Sequence, residues 1–355
     1  MVVVGGKGEG GEVLSSVEVY GHPGLRVAAL PEPRWGHVTF LSSSGELVTC
    51  LGSSPSCLVL APGGGAWQAG VVADPSTRRI RAATVTTSMG TYVLGGVLTP
   101  QTSELLPPGG RAWVPGPELP FSVHTGTSCS VALGGDAFLL IGLRKLREFG
   151  GEGWREGWPD LQVLLQVMGC SVLGERLVVV GEDMAGSLAT EVVHLGTREV
   201  TRGASLLQGR RHFHLLTAPT GASEHRLVAV GGEEYGQTLE IRMQRRKNPK
   251  KLRAVEEWQP STDTWMNLPA LSEKRSDFGA VAVPALLRCL TEPDIPHSVT
   301  NCRGAVVGAE CPVTCSTPHH LEDPTQASAV CGWHGRWVTR ATCSGNTLIH
   351  IFYSF

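Results

Sequence analysis

The chain has 355 residues, is 17% charged with a formal net charge of −2, and is rich in glycine (45) and proline (23). That balance excludes the strongly basic footprint of a nucleic-acid binder or a polybasic membrane-surface protein. No apolar run nears the roughly 20 residues that a membrane-spanning helix needs, so no membrane insertion is expected within this chain.

The first element, MVVVGGKGEGG, lacks the charged n-region and long apolar stretch of a secretory leader. It does carry the first of a series of short apolar runs that end in glycine. These are VVVGG (2–6), VTCLG (48–52), YVLGG (92–96), LLIGL (139–143), VVVGE (178–182) and VAVGG (228–232). Successive fourth positions are 46, 44, 47, 39 and 50 residues apart. Short apolar runs punctuated by glycine and proline predict strands, and a period in this range predicts a repeat architecture. A further strand carrying glutamate follows in four units: VEVY (17–20), SELL (103–106), TEVVHL (190–195) and VEEW (255–258). Trp67, Trp113 and Trp158 follow their runs at offsets of 16, 18 and 16, whereas Trp265 follows at 34, which implies an insertion. Arg34, Arg78, Arg211 and Arg275 open the strand ahead of the glycine run in four units.

With that period, the double glycine and the Glu/Trp register, residues 1 to 283 resemble the kelch repeat, a four-stranded propeller blade. The resemblance implies an all-β, six-bladed β-propeller. The physical logic is independent of the family: each small sheet is apolar on both faces, so the sheets must stack around an axis to bury them. The first unit, MVVVGG, has no strand before it, and Arg275 to Val283 is a strand with nothing after it. Together they complete one blade, so the ring is expected to close through its two ends, which removes an open sheet edge. The propeller is assigned to residues 1–284.

Six of the ten cysteines fall between 289 and 343. So small a segment with few large apolar residues needs covalent staples. The text CGWHGRWVTRATC (331–343), together with Pro293, Val307-Gly308 and Cys315, resembles a sushi (complement-control) module. That resemblance implies the pairs Cys289–Cys331 and Cys315–Cys343, leaving Cys302–Cys311. Six cysteines permit 15 pairings, and a zinc site at Cys311 and Cys315 is the competing reading. The module is assigned to 285–345, followed by a tail at 346–355. Disulfides imply an oxidising compartment. An extracellular or cell-surface setting is therefore expected, with the chain a piece of a longer precursor that lacks its signal peptide; a cytoplasmic setting is the alternative.

Cys129 (CSVAL) and Cys170 (CSVLG) stand in matching slots, where Ala83 and Ala280 occupy other units. They read as small buried residues near the axis, with a reactive or metal-binding thiol as the sharper alternative. Cys50 and Cys57 flank a tight turn and could pair. His37, His124, His212 and His214 form no metal-ligand spacing. No tyrosine and histidine set suits the copper radical oxidases that share the architecture, STDTW (261–265) lacks the glycine of a sialidase Asp-box, and no Ser/His/Asp arrangement is legible. No catalytic residue, metal or cofactor is therefore expected. The segment RMQRRKNPKKLR (242–253) holds seven basic residues and no acidic one. One reading is a solvated loop, with the strand-opening arginines bonded between blades. The other is an electropositive recognition face built from Arg34, Arg78, Arg211 and Arg275 with Arg245, Arg246 and Lys247, taking an acidic protein or glycan ligand. The functional expectation is a non-enzymatic interaction protein. An intracellular kelch substrate adaptor is the alternative, and a propeller enzyme the third reading.

Overall fold

A computed structural model describes residues 1–21, 27–61, 65–219, 225–234, 249–283, 288–289, 291–306, 309–331, 337–339 and 341–345. The chain divides into two compact units: residues 1–61 and 65–285, and residues 62–64 and 286–355.

The first unit is a six-bladed β-propeller of antiparallel sheets. Blade 2 runs from inside to outside as Val38–Leu41, Leu47–Cys50, Leu58–Leu60 and Gln68–Ala69; blade 3 as Ala83–Thr87, Gly90–Leu94, Ser103–Leu106 and Val114–Pro115. Blade 4 consists of Ser128–Gly134, Ala137–Gly142, Lys145–Gly150 and Gly153–Arg155. Blade 5 consists of Leu164–Leu173, Arg176–Asp183, Leu188–His194 and Val200–Gly203. Blade 6 consists of His214–Pro219, His225–Val230, Val255–Gln259 and Thr264–Leu268.

Blade 1 joins the two ends of the unit. Its inner strand Gly279–Val281 pairs with Val2–Lys7, which pairs in turn with Val13–Val19. The register sets Val2 against Val281, Val3 against Ala280 and Val4 against Gly279. The ring thus closes between its first and last strands, as the unfinished repeat at 275–283 predicts.

The second strands are buried at nearly every position, so their apolar runs serve both faces of each sheet. Separate apolar clusters fill the gaps between neighbouring blades. Tyr92 and Leu94 meet Phe138 and Leu140 between blades 3 and 4, and Val3 and Phe278 meet Val228 and Val230 between blades 6 and 1. The double glycines mark close approaches. At Gly95 (φ 64°) a Cβ would lie 2.1 Å from the Val123 carbonyl oxygen, so the backbone there tolerates no side chain.

The glutamate of the third strand has a repeated structural duty. Glu104 accepts from the Ser76 amide at 2.8 Å, Glu191 from Gln162 at 2.7 Å, Glu256 from Leu207 at 2.7 Å and Glu18 from Ser272 at 2.9 Å. Each carboxylate ties down the link that enters its blade. The tryptophans do the same from the outer strand: the indole N–H groups of Trp67, Trp113 and Trp265 donate to the carbonyls of Ala28, Ala73 and Ala204. In blade 4 this position belongs to Trp154, which donates to Glu118 O at 2.7 Å, and not to Trp158, whose indole bonds Glu148. The expected offset points to the wrong tryptophan because the turn between the second and third strands of blade 4 is only two residues long, Leu143 and Arg144.

The second unit is made of short strand pairs, including Glu310–Pro312 with Ser328–Cys331 and Trp337–Thr339. Its disulfides are Cys289–Cys331, Cys302–Cys311 and Cys315–Cys343. Its small core holds Ile295, Cys311, Val313, Ala329 and Ala341.

Candidate functional site

Strand order decides which parts of the propeller share a face. In an antiparallel four-stranded blade, the turn between the second and third strands opens on the same side as the link into the next blade. On this link face, in five of the six blades, one residue stands at the channel mouth just ahead of the inner strand. These are Gly36, Arg81, Gly126, His212 and Asp277 for blades 2, 3, 4, 6 and 1. Their φ angles are all positive, at 63°, 58°, 97°, 52° and 51°. The left-handed region costs free energy for Arg, His and Asp, so the surroundings must hold them there. The holding is visible around the ring. Gly36 N donates to Asp277 O at 2.7 Å, Arg81 N to Gly36 O at 2.8 Å, Thr125 N to Arg81 O at 2.8 Å and Asp277 N to His212 O at 3.3 Å.

The side chains then meet across the mouth. Because Gly36 has none, Arg81 reaches past blade 2 to make two 2.8 Å hydrogen bonds to Asp277. The His212 ring faces Gly126, where a Cβ would come within 3.5 Å of it. Its Nδ1 lies 3.0 Å from Arg81 Nη2 and 3.4 Å from both Asp277 Oδ1 and Glu233 Oε1. It accepts from Arg81 when the ring proton is on Nε2, and donates to a carboxylate when Nδ1 is protonated. Glu233 also binds Lys251 and accepts from Arg211 Nε at 2.8 Å, and Lys7 lies 3.6 Å from Asp277 and over the Trp35 ring. Burial pushes the Asp277 carboxyl up, but His212 and Arg81 outweigh it and hold the group far below the usual carboxylate range. Burial likewise raises Glu233, and Lys251, His212 and Arg211 bring it below its ordinary value. Both acids are therefore anions at neutral pH.

Beneath the mouth, His37, Thr39, His214 and the Cys129–Cys170 bridge line a cavity of about 170 Å³. The His214 Nε2 lies 2.7 Å from Phe278 O. Burial of His37, reinforced by the charges of Arg34 and His214, outweighs the backbone of Val4 and the carboxylate of Asp277 and lowers its pKa to about 3.

Several sequence expectations change here. Cys129 and Cys170 are not free small residues; they form a disulfide that joins the inner strands of blades 4 and 5. Matching slots on adjacent inner strands bring the two sulfurs together, a proximity that spacing along the chain does not show. Cys50 and Cys57 are also bridged. The arginine register is Arg34, Arg79, Arg210 and Arg275, and all four are fully buried. Arg79 bonds the carbonyls of Gly95 and Thr102 with Glu104, and Arg210 those of Gly231 and Ala254 with Glu256. Arg275 bonds Gly5 O at 2.8 Å, and Arg34 bonds Ser56 and Glu32. Arg34 and Arg275 are thus withdrawn from any ligand, and exposed Arg78 stands one residue off the register. Arg211, also one residue off, is brought to the mouth by that offset. Arg245, Arg246 and Lys247 lie outside the described residues. Lys251, from the basic segment 242–253, does reach the mouth, where it pairs with Glu233; the sequence reading overlooked Lys7, Arg81, Glu233 and Asp277. A signal for two of them was present: the mouth residue stands two places after the buried arginine in RWG, RIR, RRH and RSD.

Among the described residues no group of three or more His, Cys, Asp or Glu side chains is placed to hold a metal ion. No helix there is long and apolar enough to cross a membrane. No family model and no curated protein matches the chain. Among solved structures, the chain is similar to one titled "Structure of YjhT", with a TM-score of 0.55 and 15% identity, covering 86% of this chain and 99% of that one. At that identity the likeness concerns the propeller fold alone.

Proposed function

We propose that the chain is a non-enzymatic recognition protein of the extracellular or cell-surface environment that binds an acidic protein or glycan partner at the link face. The observation that carries this reading is the charge balance at the channel mouth. Four cations, Lys7, Arg81, Arg211 and Lys251, surround two carboxylates, Asp277 and Glu233. The cluster therefore keeps surplus positive charge on a backbone frame that fixes its geometry, which suits carboxylate or sulfate groups. All ten cysteines are bridged, in keeping with an oxidising compartment and against an intracellular adaptor. The kelch-like period and the sushi-like cysteine pattern fit modular surface proteins of this kind.

The test is binding of the intact chain to arrays of sulfated glycans and acidic peptides, repeated at increasing salt. Lys7→Gln with Arg211→Gln changes two partly exposed cations. That variant should weaken binding and flatten its salt dependence, chiefly by slowing association. Binding indifferent to both changes removes the reading, as does turnover of a substrate at this mouth.

A further inference from the structure

The apolar side chains that the propeller leaves in water are not scattered. Val97, Leu98, Leu143, Leu165, Met184 and Leu207 are all exposed, from 42% at Leu165 to 81% at Met184. Val97 and Leu98 follow the second strand of blade 3, Leu143 that of blade 4 and Met184 that of blade 5. Leu165 is the second residue of the inner strand of blade 5, and Leu207 lies in the link to blade 6. By the strand order, every one of these places is on the link face. Among the described residues of the propeller, the opposite face has Met89 in a turn, while Val114 and Met266 belong to outermost strands. The exposed apolar tips thus lie on the arc of blades 3 to 5 and the link to blade 6, whereas Lys7, Arg211 and Lys250 lie on blades 1 and 6. Exposed apolar side chains concentrated on one face, rather than scattered singly over the surface, point to an interaction surface.

Local backbone supports the same conclusion independently. Leu143 (φ 49°) and Arg144 (φ 65°) form a two-residue hairpin turn with both central residues left-handed. Asn-Gly is the usual solution there, and an exposed leucine is a costly one. Met184 stands at the tip of a turn braced by Gly186 N to Asp183 O at 2.9 Å and Ser187 N to Asp183 Oδ1 at 2.8 Å. Val97 is fixed by its amide to Ile80 O at 2.9 Å, and Leu207 by its amide to Glu256. Loops held in this way present their tips without a large ordering cost on binding.

We infer that this arc docks a short segment of a protein partner, one that carries two or three large apolar side chains at one end and acidic residues at the other. This inference rests on the recognition reading of the same face and names the partner. The chemistry follows from the surface. Aliphatic loop tips match aliphatic or aromatic side chains, and none of the six offers the flat ring on which a sugar stacks. Glu182 and Asp183 immediately precede Met184, which disfavours an anionic membrane and any acidic residue at that end. The acidic end of the segment belongs across the mouth, over the accessible Lys7, Arg211 and Lys250, with Lys251 buried beneath them against Glu233 and Lys250 3.8 Å from Glu234.

The experiment pans the intact chain against phage displaying random 12-residue peptides, with a Leu98→Ser, Leu143→Asn, Met184→Ser variant in parallel. Leu143→Asn suits the left-handed turn, so the variant should fold at least as well, which its thermal melt checks. Enriched peptides should combine apolar residues with a terminal acidic run and bind the variant at least tenfold more weakly. Lys250→Gln should weaken them further at low salt. Peptides that bind the variant equally well overturn the apolar dock and leave recognition at the cationic mouth standing. No enrichment, while sulfated glycans still bind through Lys7 and Arg211, overturns it alone; loss of both removes the two readings together. Sedimentation showing a dimer that the variant loses assigns the arc to a second copy and overturns the proposal. Binding to phosphatidylserine vesicles that the variant loses assigns it to lipid and does the same.

Discussion

Replacing Arg210 with Met separates the structural reading of the repeated arginines from a ligand-binding one. Arg210 and Glu256 are both 0% exposed and directly paired. Arg210 also donates to Gly231 O at 3.2 Å and Ala254 O at 2.9 Å, while Glu256 accepts from the Leu207 and Gln208 amides. Removing the guanidinium leaves a buried carboxylate uncompensated, a change that typically costs about 3–5 kcal/mol. Against a total stability of roughly 5–15 kcal/mol this is a large share. At about 2–4 °C per kcal/mol for a domain of this size, the melting temperature should fall by roughly 6–20 °C. Adding Glu256→Gln removes the stranded charge, yet its amide oxygen still accepts from Leu207 and Gln208, so the double variant should recover about 2 kcal/mol. Urea and thermal melts read both quantities. A single variant that loses less than about 1 kcal/mol, or a double variant no more stable than the single, refutes the argument. So does loss of ligand binding with stability intact.

Ending the chain at Lys274 removes the strand that pairs with Val2–Val4 and takes Phe278 from between blades 6 and 1, so the cooperative melt of the propeller should vanish. A chain ending at Pro284 should keep that melt, and equal melts for the two reject closure through the ends. His37 is neutral in the fold down to about pH 3 but protonates near 6.5 when unfolded, so the unfolded state binds more protons between those values. Its contribution is complete above pH 6.5 and falls by about 1.4 kcal/mol per pH unit as the pH drops toward 3; His37→Gln should flatten the urea-melt slope in that window. An unchanged slope rules out the neutral buried imidazole. The Cys129–Cys170 bridge spans a sequence separation of 41 residues, so replacing both cysteines with Ala should cost about 3–4 kcal/mol in a propeller melt. A smaller loss than about 1 kcal/mol indicates that blades 4 and 5 hold without it. Replacing Cys331 should unfold the second unit and leave the propeller transition in place, which two separate calorimetric transitions in the unaltered chain would make visible.

The amino-acid sequence alone determined the repeat, because blade packing needs apolar residues on both faces of the second strand and glycine where backbones touch. Those needs act locally, so VVVGG, YVLGG and VAVGG are readable without a structure, and so is the closing strand 275–283. Glu18, Glu104, Glu191 and Glu256 are legible for the same reason, each satisfying the amides of its own blade's incoming link. The tertiary structure decided what the ring brings together from far along the chain. Arg34 and Arg275 look like surface cations in the sequence, but stacking the blades surrounds them with carbonyls and carboxylates. Arg79 rather than Arg78, and Arg210 rather than Arg211, take the same inner place, and the one-residue shift sends Arg211 to the mouth. Arg81 meets Asp277 across 196 positions of sequence, and Cys129 meets Cys170, because blade rotation places equivalent residues side by side around one axis. A linear pattern carries the period of that rotation but not the inward or outward direction of each side chain, and that direction separates a buried clamp from a binding face.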